Sequence, residues 1–375
     1  MSEQTIPPIV YRYLFLCIAC LILFFAYTYR TYYYLIDTNN YFQNLHFEKL
    51  GTTKISGITS TDSRFSHPLR DYYVLSSFNS CGGGLLTKDY VDTQPLIKTI
   101  SRGARLLDFE IFQKNNEAVV AAGLGRDENG QCIVKGTFNH LSLNEVLSTV
   151  KDHAFSSTAP NPNDPLFLHF RFCTNKQLAY YQTGELIKKH FSNRLLNPKL
   201  SHNGKYWDDN NNLITMKLLD FKGKVIIICS DDEKKYKNTE LITYINLSNS
   251  IKEYEFSKNS DILTNNKESR SERIENNKKR FSLSIPDITN KITNGPHRTH
   301  RDRGINFACT YFAAGEDDDN FREIIKFFEK EGTAFVLKPQ KQRFVEVKIK
   351  EPKRAPKELN MSKKKIDLPM YQGAI

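Results

Sequence analysis

The sequence predicts an α/β protein, a distorted, closed (β/α)8 barrel of the TIM type, preceded by one N-terminal transmembrane helix. Three observations predict it. Strand-like and helix-like stretches alternate from His67 to about Ser230 and resume after Glu240, the pattern of parallel β/α units. The chain has 375 residues, enough for a single closed barrel rather than a small open sheet. Finally, YLFLCIACLILFFAYTY, Tyr13 to Tyr29, runs 17 residues without a formal charge between Arg12 and Arg30, and a spanning helix needs roughly 17–25.

The N-terminal segment, residues 1–36, is read as an uncleaved anchor. TYYYLI extends its apolar length with interfacial tyrosines. A signal peptide is the rival reading, but no small-x-small cleavage site follows and bulky aromatics crowd the exit. Residues 37–66 read as a polar connector. In the barrel region, 67–340, YYVLSS is strand-like and Thr93 to Arg102 is helical, with Leu96, Ile97 and Ile100 at helical spacing. ARLLDFEIF and AVVAAG are strands around a short hairpin. Leu143 to Ala154 is a helix, with Leu143, Val146, Leu147 and Val150 on one face. PLFLHFRF is a strand, Leu178 to Phe191 a helix, and KVIIICS a strand. Residues 257–300 read as a flexible insertion, because Ser257 to Arg280 is too polar to order itself. Folding resumes with strand INFACTYFA, helix Phe321 to Lys330 and TAFVLKP. RFVEVKIK alternates at period two and leads into the basic tail, 341–375.

The formal charge is +11, unevenly placed: Ser257–Arg301 carries +5 and residues 341–375 carry +6. The rest is near neutral. A basic tail beside an apolar anchor suits anionic membrane lipid; no nucleic-acid partner is expected. Of the seven cysteines, Cys17 and Cys20 lie in the apolar run, and none form a disulfide framework, so a reducing compartment, and with it the cytoplasmic side of a membrane, is favoured for the barrel.

Strand alternation puts Ala104, Leu106, Asp108, Glu110 and Phe112 on one face of ARLLDFEIF. Two carboxylates on a mostly apolar face are costly unless paired with a cation, a metal or water. Calcium or a guanidinium would satisfy them; solvent exposure on an edge strand is the plain alternative. The stretch SSFNS ends a strand in small polar residues, where chemistry is often placed, yet its centre is Phe78. The glycines of CGGG, Cys81 to Gly84, could bring backbone N–H groups to a phosphate or simply form a flexible loop.

Several stretches, in order, resemble phosphatidylinositol-specific phospholipase C of the eukaryotic type. PLRDYYVLSSFNS resembles that family's first strand, ending Ser-Ser-His-Asn-Thr. YVDTQPLIKTISRGARLLDFEIF resembles its next helix and strand. EAVVAAG with SLNEVLSTVKDHAF resembles Glu-x-Ile-Ile-x-His-Gly and the helix after it. FKGKVIII resembles the strand closing its X region (67–230 here). TELITYINLSNSIKEYEF and FREIIKFFEKEGTAFVLKP resemble the ends of its Y region (240–340 here). The resemblance implies a phosphoinositide-cleaving barrel using two histidines and calcium held by Asn and carboxylates. Matched position by position, it puts Phe78 and Ala122 where the histidines belong, keeps Asn79, and leaves Asp108 and Glu110 acidic. Arg171 falls where a further calcium-binding Glu belongs, and Cys229 and Asp231 where phosphate-contacting lysines belong.

The resemblance thus leaves no intact catalytic set but a vestigial pocket of Phe78, Asn79, Asp108, Glu110, Ala122 and Arg171. Asn79, Asp108 and Glu110 remain candidate calcium ligands; the alternative is that Arg171 replaces the cation and no cofactor is used. The expected function is a membrane-anchored, catalytically impaired phospholipase-C-like protein that binds phosphoinositide, other anionic lipid or a partner protein. One rival is an active phosphoric diester hydrolase using Asp108, Glu110 and a displaced histidine, with His140, His153 and His169 as candidates. The other is a non-catalytic scaffold.

Overall fold

The computed structural model describes residues 7–86, 88–123, 135–201, 213–231, 234–264, 268–287, 292–314, 318–345, 365–368 and 371–374. It divides into two units, residues 1–343 and 344–375.

The first unit opens with α1 (Pro8–Lys49), then β1 (Tyr72–Val74), α2 (Thr93–Ser101), β2 (Leu106–Lys114), β3 (Glu117–Ala121) and β4 (Leu141–Ser142). Next come α3 (Leu143–Ala154), β5 (Leu166–Phe172), α4 (Gln177–Phe191), β6 (Val225–Ser230) and β7 (Ile245–Ser248). The C-terminal half holds β8 (Tyr254–Lys258), α5 (Asn259–Thr264), α6 (Arg270–Asn277) and β9 (Phe281–Ile285). It continues with α7 (His297–Asp302), β10 (Phe307–Ala308), α8 (Asp319–Glu331) and β11 (Phe335–Leu337). The second unit contains an antiparallel hairpin, β12 (Lys365–Leu368) and β13 (Tyr371–Ala374).

The fold is a TIM-type barrel. β2, β5, β6 and β7 pair in parallel, as do β8, β9 and β10. The chain leaving β1 joins the two sets: Ser76 bridges Leu106 and Ser77 bridges Thr310, both in parallel. Eight strands therefore form the wall. Among the described residues no ladder joins β7 to β8, which is the distortion. β3 and β4 extend the sheet antiparallel beyond β2, and β11 pairs antiparallel with β1. All seven residues of β5 and all six of β6 are buried, because a parallel strand is covered on both faces. Each fully buried aliphatic or aromatic side chain there is worth about 1.5–3 kcal/mol.

Helix ends follow local chemistry. The Asp92 carboxylate accepts from Thr93 N ahead of α2, and Asp318 accepts from Phe321 N ahead of α8. Gly332, at φ +70°, ends α8 in the left-handed region that glycine enters freely.

Two expectations need correction. The stretch read as a connector is helical as far as Lys49; Asn39 and Asn40 bond Asp89 and Asp92 of the barrel. The segment read as a flexible insertion carries α5, α6, β9 and the start of α7. Its charges are matched rather than free: Arg273, 4 % exposed, lies 2.9 Å from Glu268 and 3.5 Å from Glu255. Arg280 lies 2.6 Å from Glu255, and Ser269 and Glu272 form a capping box on α6. The expected strand INFACTYFA shortens to Phe307–Ala308. Most of RFVEVKIK, residues 346–350, lies outside the described residues.

Candidate functional site: a salt-bridged barrel mouth

β2 and β5 build the site. Their register pairs Asp108 with His169 and Glu110 with Arg171. Side chains alternate along each strand, so all four share one face. β2 lies between β3 and β5, and Asp108 and Glu110 are 0 % and 1 % exposed; the edge-strand alternative is excluded.

Arg171 occupies the centre. Its Nε donates to Asp108 Oδ1 at 2.9 Å and its Nη2 to Asp108 Oδ2 at 2.8 Å, a bidentate fork. Nη1 donates to Glu110 Oε1 at 2.5 Å, and Nη2 also to Asn79 Oδ1 at 2.8 Å. Phe78, fully buried, lies under the guanidinium, with Cζ 4.8 Å from the ring centroid, and meets Tyr311 edge-on at 6.3 Å. Asn79, at φ +40°, directs its backbone N–H to Asp108 Oδ2 at 2.9 Å. Gly123 N donates to Glu110 Oε2 at 2.5 Å. A Cβ on Gly123 would meet Phe112 at 3.1 Å, so the backbone approaches this closely only without a side chain. Ala122, 1 % exposed, shares with Asn79 and Asp108 a closed space that holds no water-sized volume.

Burial alone would raise the Asp108 carboxyl, but Arg171 and His169 hold it well below the usual carboxylate range. Glu110 moves the other way: burial raises it, and Arg171 offsets this only in part against Asp108. Arg171 itself is pushed above its ordinary value, the two carboxylates outweighing burial.

Residues 65–230 match the family described as phosphatidylinositol-specific phospholipase C, X domain. That stretch of the chain is similar to the X domain. Solved structures agree on the fold. S. officinalis PLC21 superposes with a TM-score of 0.60 at 15% identity, covering 78% of this chain and 39% of its own. L. pealei PLC21 gives 0.58 at 15%, with the same coverages. The chain thus spans well under half the length of these two proteins. No curated protein matches the chain.

The X domain's resemblance implies calcium, and the donor set can be tested against it. Calcium takes six to eight oxygens at about 2.3–2.6 Å. Here Asn79 Oδ1, both oxygens of Asp108 and Oε1 of Glu110 accept from Arg171, and Glu110 Oε2 accepts from Gly123. A divalent cation at those oxygens would abut a guanidinium. The set does not fit calcium.

All six pocket residues therefore meet in one place, and His169 joins them. Its Nδ1 is 2.8 Å from Asp108 Oδ1; its Nε2 is 2.8 Å from Ser230 Oγ. Burial pushes the imidazole pKa down. His140 lies elsewhere, where Lys135, Lys114 and Glu117 set its field, and His153 is in the last turn of α3. In CGGG, Cys81 and Gly82 line the closed space, and a Cβ on Gly84 would meet Asp89 and Asn39. That loop is packed rather than open to phosphate. Cys229 and Asp231 are each 1 % exposed. Ser230 is the residue that sequence reasoning missed. Its only signal was its place at the end of a buried strand beside Arg171's row.

Proposed function

We propose that the chain is a membrane-anchored, phospholipase-C-like barrel that binds anionic lipid, phosphoinositide included, without turning it over. One observation carries the reading: Arg171 takes up the acceptors that a metal would need. Two further features support it. Phe78 and Ala122 offer no proton at the positions where the resemblance implies histidines, and each acid/base role is worth about 10²–10⁴ in rate. α1 is long and apolar enough to cross a membrane, with its apolar window exposed, and the basic tail adds affinity for anionic headgroups. The test uses the full chain in vesicles containing labelled phosphatidylinositol. Binding without turnover, weakened by deleting residues 341–375, is the expected result. Turnover abolished by Asp108→Ala would overturn it.

A second reading is favoured by the contacts linking Asp108, His169 and Ser230. In it His169 serves as a displaced base for phosphodiester cleavage. The same assay decides: this reading requires turnover that His169→Ala removes.

A further inference from the structure

We propose that the end of the barrel opposite the mouth holds an oxyanion site of its own, a cradle of His67, Arg70, Lys338 and Arg343 that takes one phosphate-type dianion from solution. The site is independent of whatever the mouth binds.

The β1–β11 ladder builds its floor. The two strands run antiparallel with Tyr72 opposite Leu337, and one step further on Lys338 N donates to Asp71 O at 2.8 Å. Residues opposite one another in such a pair project from the same face, so the Asp71 and Lys338 side chains lie together. They are 3 % and 1 % exposed. Half-buried His67, Arg70 and Arg343 surround them. Arg343 follows the short turn Gln340–Gln342, and its Nη1 lies 3.4 Å from both ring nitrogens of His67.

The charges in this cluster do not balance. Burial raises the Asp71 carboxyl against the pull of Lys338, Arg70, Arg343 and His67. Two guanidinium groups, an amine and an imidazole therefore face a single carboxyl that is slow to ionise. Lys338 Nζ and Arg343 Nε are buried and make no hydrogen bond to the described residues. A buried donor without an acceptor is costly, and a buried cation without a counter-charge more so. An anion with several acceptor oxygens answers both costs. Guanidinium forks and an ammonium suit phosphate in particular, and a dianion offsets the surplus of positive groups.

Its place in the fold favours a soluble source. Asp71 stands seven residues before Phe78 on the chain that runs through β1, a separation of roughly 20 Å along an extended strand. α1 bonds the barrel through Asp89 and Asp92, in the loop that leaves β1 at the mouth end. The cradle is thus at the end of the barrel away from those contacts.

Calorimetric titration of inorganic phosphate at constant ionic strength tests the proposal, with the full chain held in zwitterionic phospholipid vesicles. The wild type should show saturable one-to-one binding, and its Tm should rise with phosphate but not with chloride. Arg343→Gln and Lys338→Met should each weaken binding at least tenfold, whereas Lys222→Gln, at an exposed lysine outside the cluster, should not. Lys338→Met replaces a buried donor that lacks an acceptor with an apolar chain of similar length, so it keeps the test decisive if Arg343→Gln does not fold. No saturable binding by the wild type, or binding that Lys338→Met leaves intact, would overturn the proposal. A second arm adds phosphatidic acid to the vesicles. An unchanged one-to-one heat is expected; its loss would show a lipid headgroup in the cradle and overturn the soluble source.

Discussion

Two buried cations sit in different parts of this barrel and meet different fates. At the mouth, Arg171 has three acceptor residues within 2.9 Å and stays ionised. Beside the start of β1, Lys338 is 1 % exposed. Its backbone N–H bonds Asp71 O at 2.8 Å, but its Nζ makes no hydrogen bond to the described residues. It lies 5.9 Å from the Tyr73 ring centroid. Burial lowers its pKa to about 7, with Asp71 opposing the shift. The contrast teaches that burial does not decide the charge of a cation; the supply of oriented acceptors does. A planar fork can use several acceptors at once, whereas an ammonium is a point charge that gives up its proton more readily.

The comparison breaks most visibly at Arg171. Arg171→Ala would leave Asp108 and Glu110 facing each other without a counter-charge, a loss of about 3–5 kcal/mol, read from urea unfolding. Arg171→Lys should recover only part of it, since an ammonium cannot fork across both carboxylates. Full recovery would show that charge alone, not geometry, holds the mouth together.

Lys338 gives the next largest effect, and it is pH-dependent. Its folded value, about 7, lies below the ordinary lysine value of about 10.4. The unfolded chain therefore binds that proton more tightly, and stability rises as pH climbs through this window. Each unit of displacement is worth about 1.4 kcal/mol. Wild type should gain stability relative to Lys338→Met between about pH 7 and 10; a parallel pair of curves would contradict it.

Glu110 sharpens the contrast from within the mouth. Its folded pKa is raised, so its contribution favours folding at acid pH and fades as pH rises from about 4.3 through the folded value. Asp108, held low, behaves oppositely, losing its contribution only as pH falls below the usual carboxylate range. Glu110→Gln should flatten the stability profile on the acid side of neutrality, measured as Tm against pH. A steeper profile would show that Glu110 is not the raised group.

Much of the mouth was legible before any coordinates. Period-two alternation on ARLLDFEIF put Asp108 and Glu110 together, and the cost of burying them called for a cation. Arg171 was reached through the resemblance rather than through spacing. His169 stood in the sequence only as one of three candidate displaced histidines; its place two residues before Arg171 on the same strand face is the signal that sets it apart from His140 and His153. The helical reach of α1 to Lys49 was hidden because Asn39 and Asn40 look like loop residues until their carboxylate partners, some fifty positions away, are known. The segment around α6 was hidden for a related reason. Composition counts charges but does not see that Arg273 is held between Glu255 and Glu268.

The central claim is that a guanidinium stands where a metal would otherwise bind. Calorimetric titration of calcium into the full chain tests it most directly, with Arg171→Glu alongside as the variant that frees the oxygens. The account predicts no tight binding to the wild type and a measurable binding heat in the variant. Tight calcium binding by the wild type would contradict it.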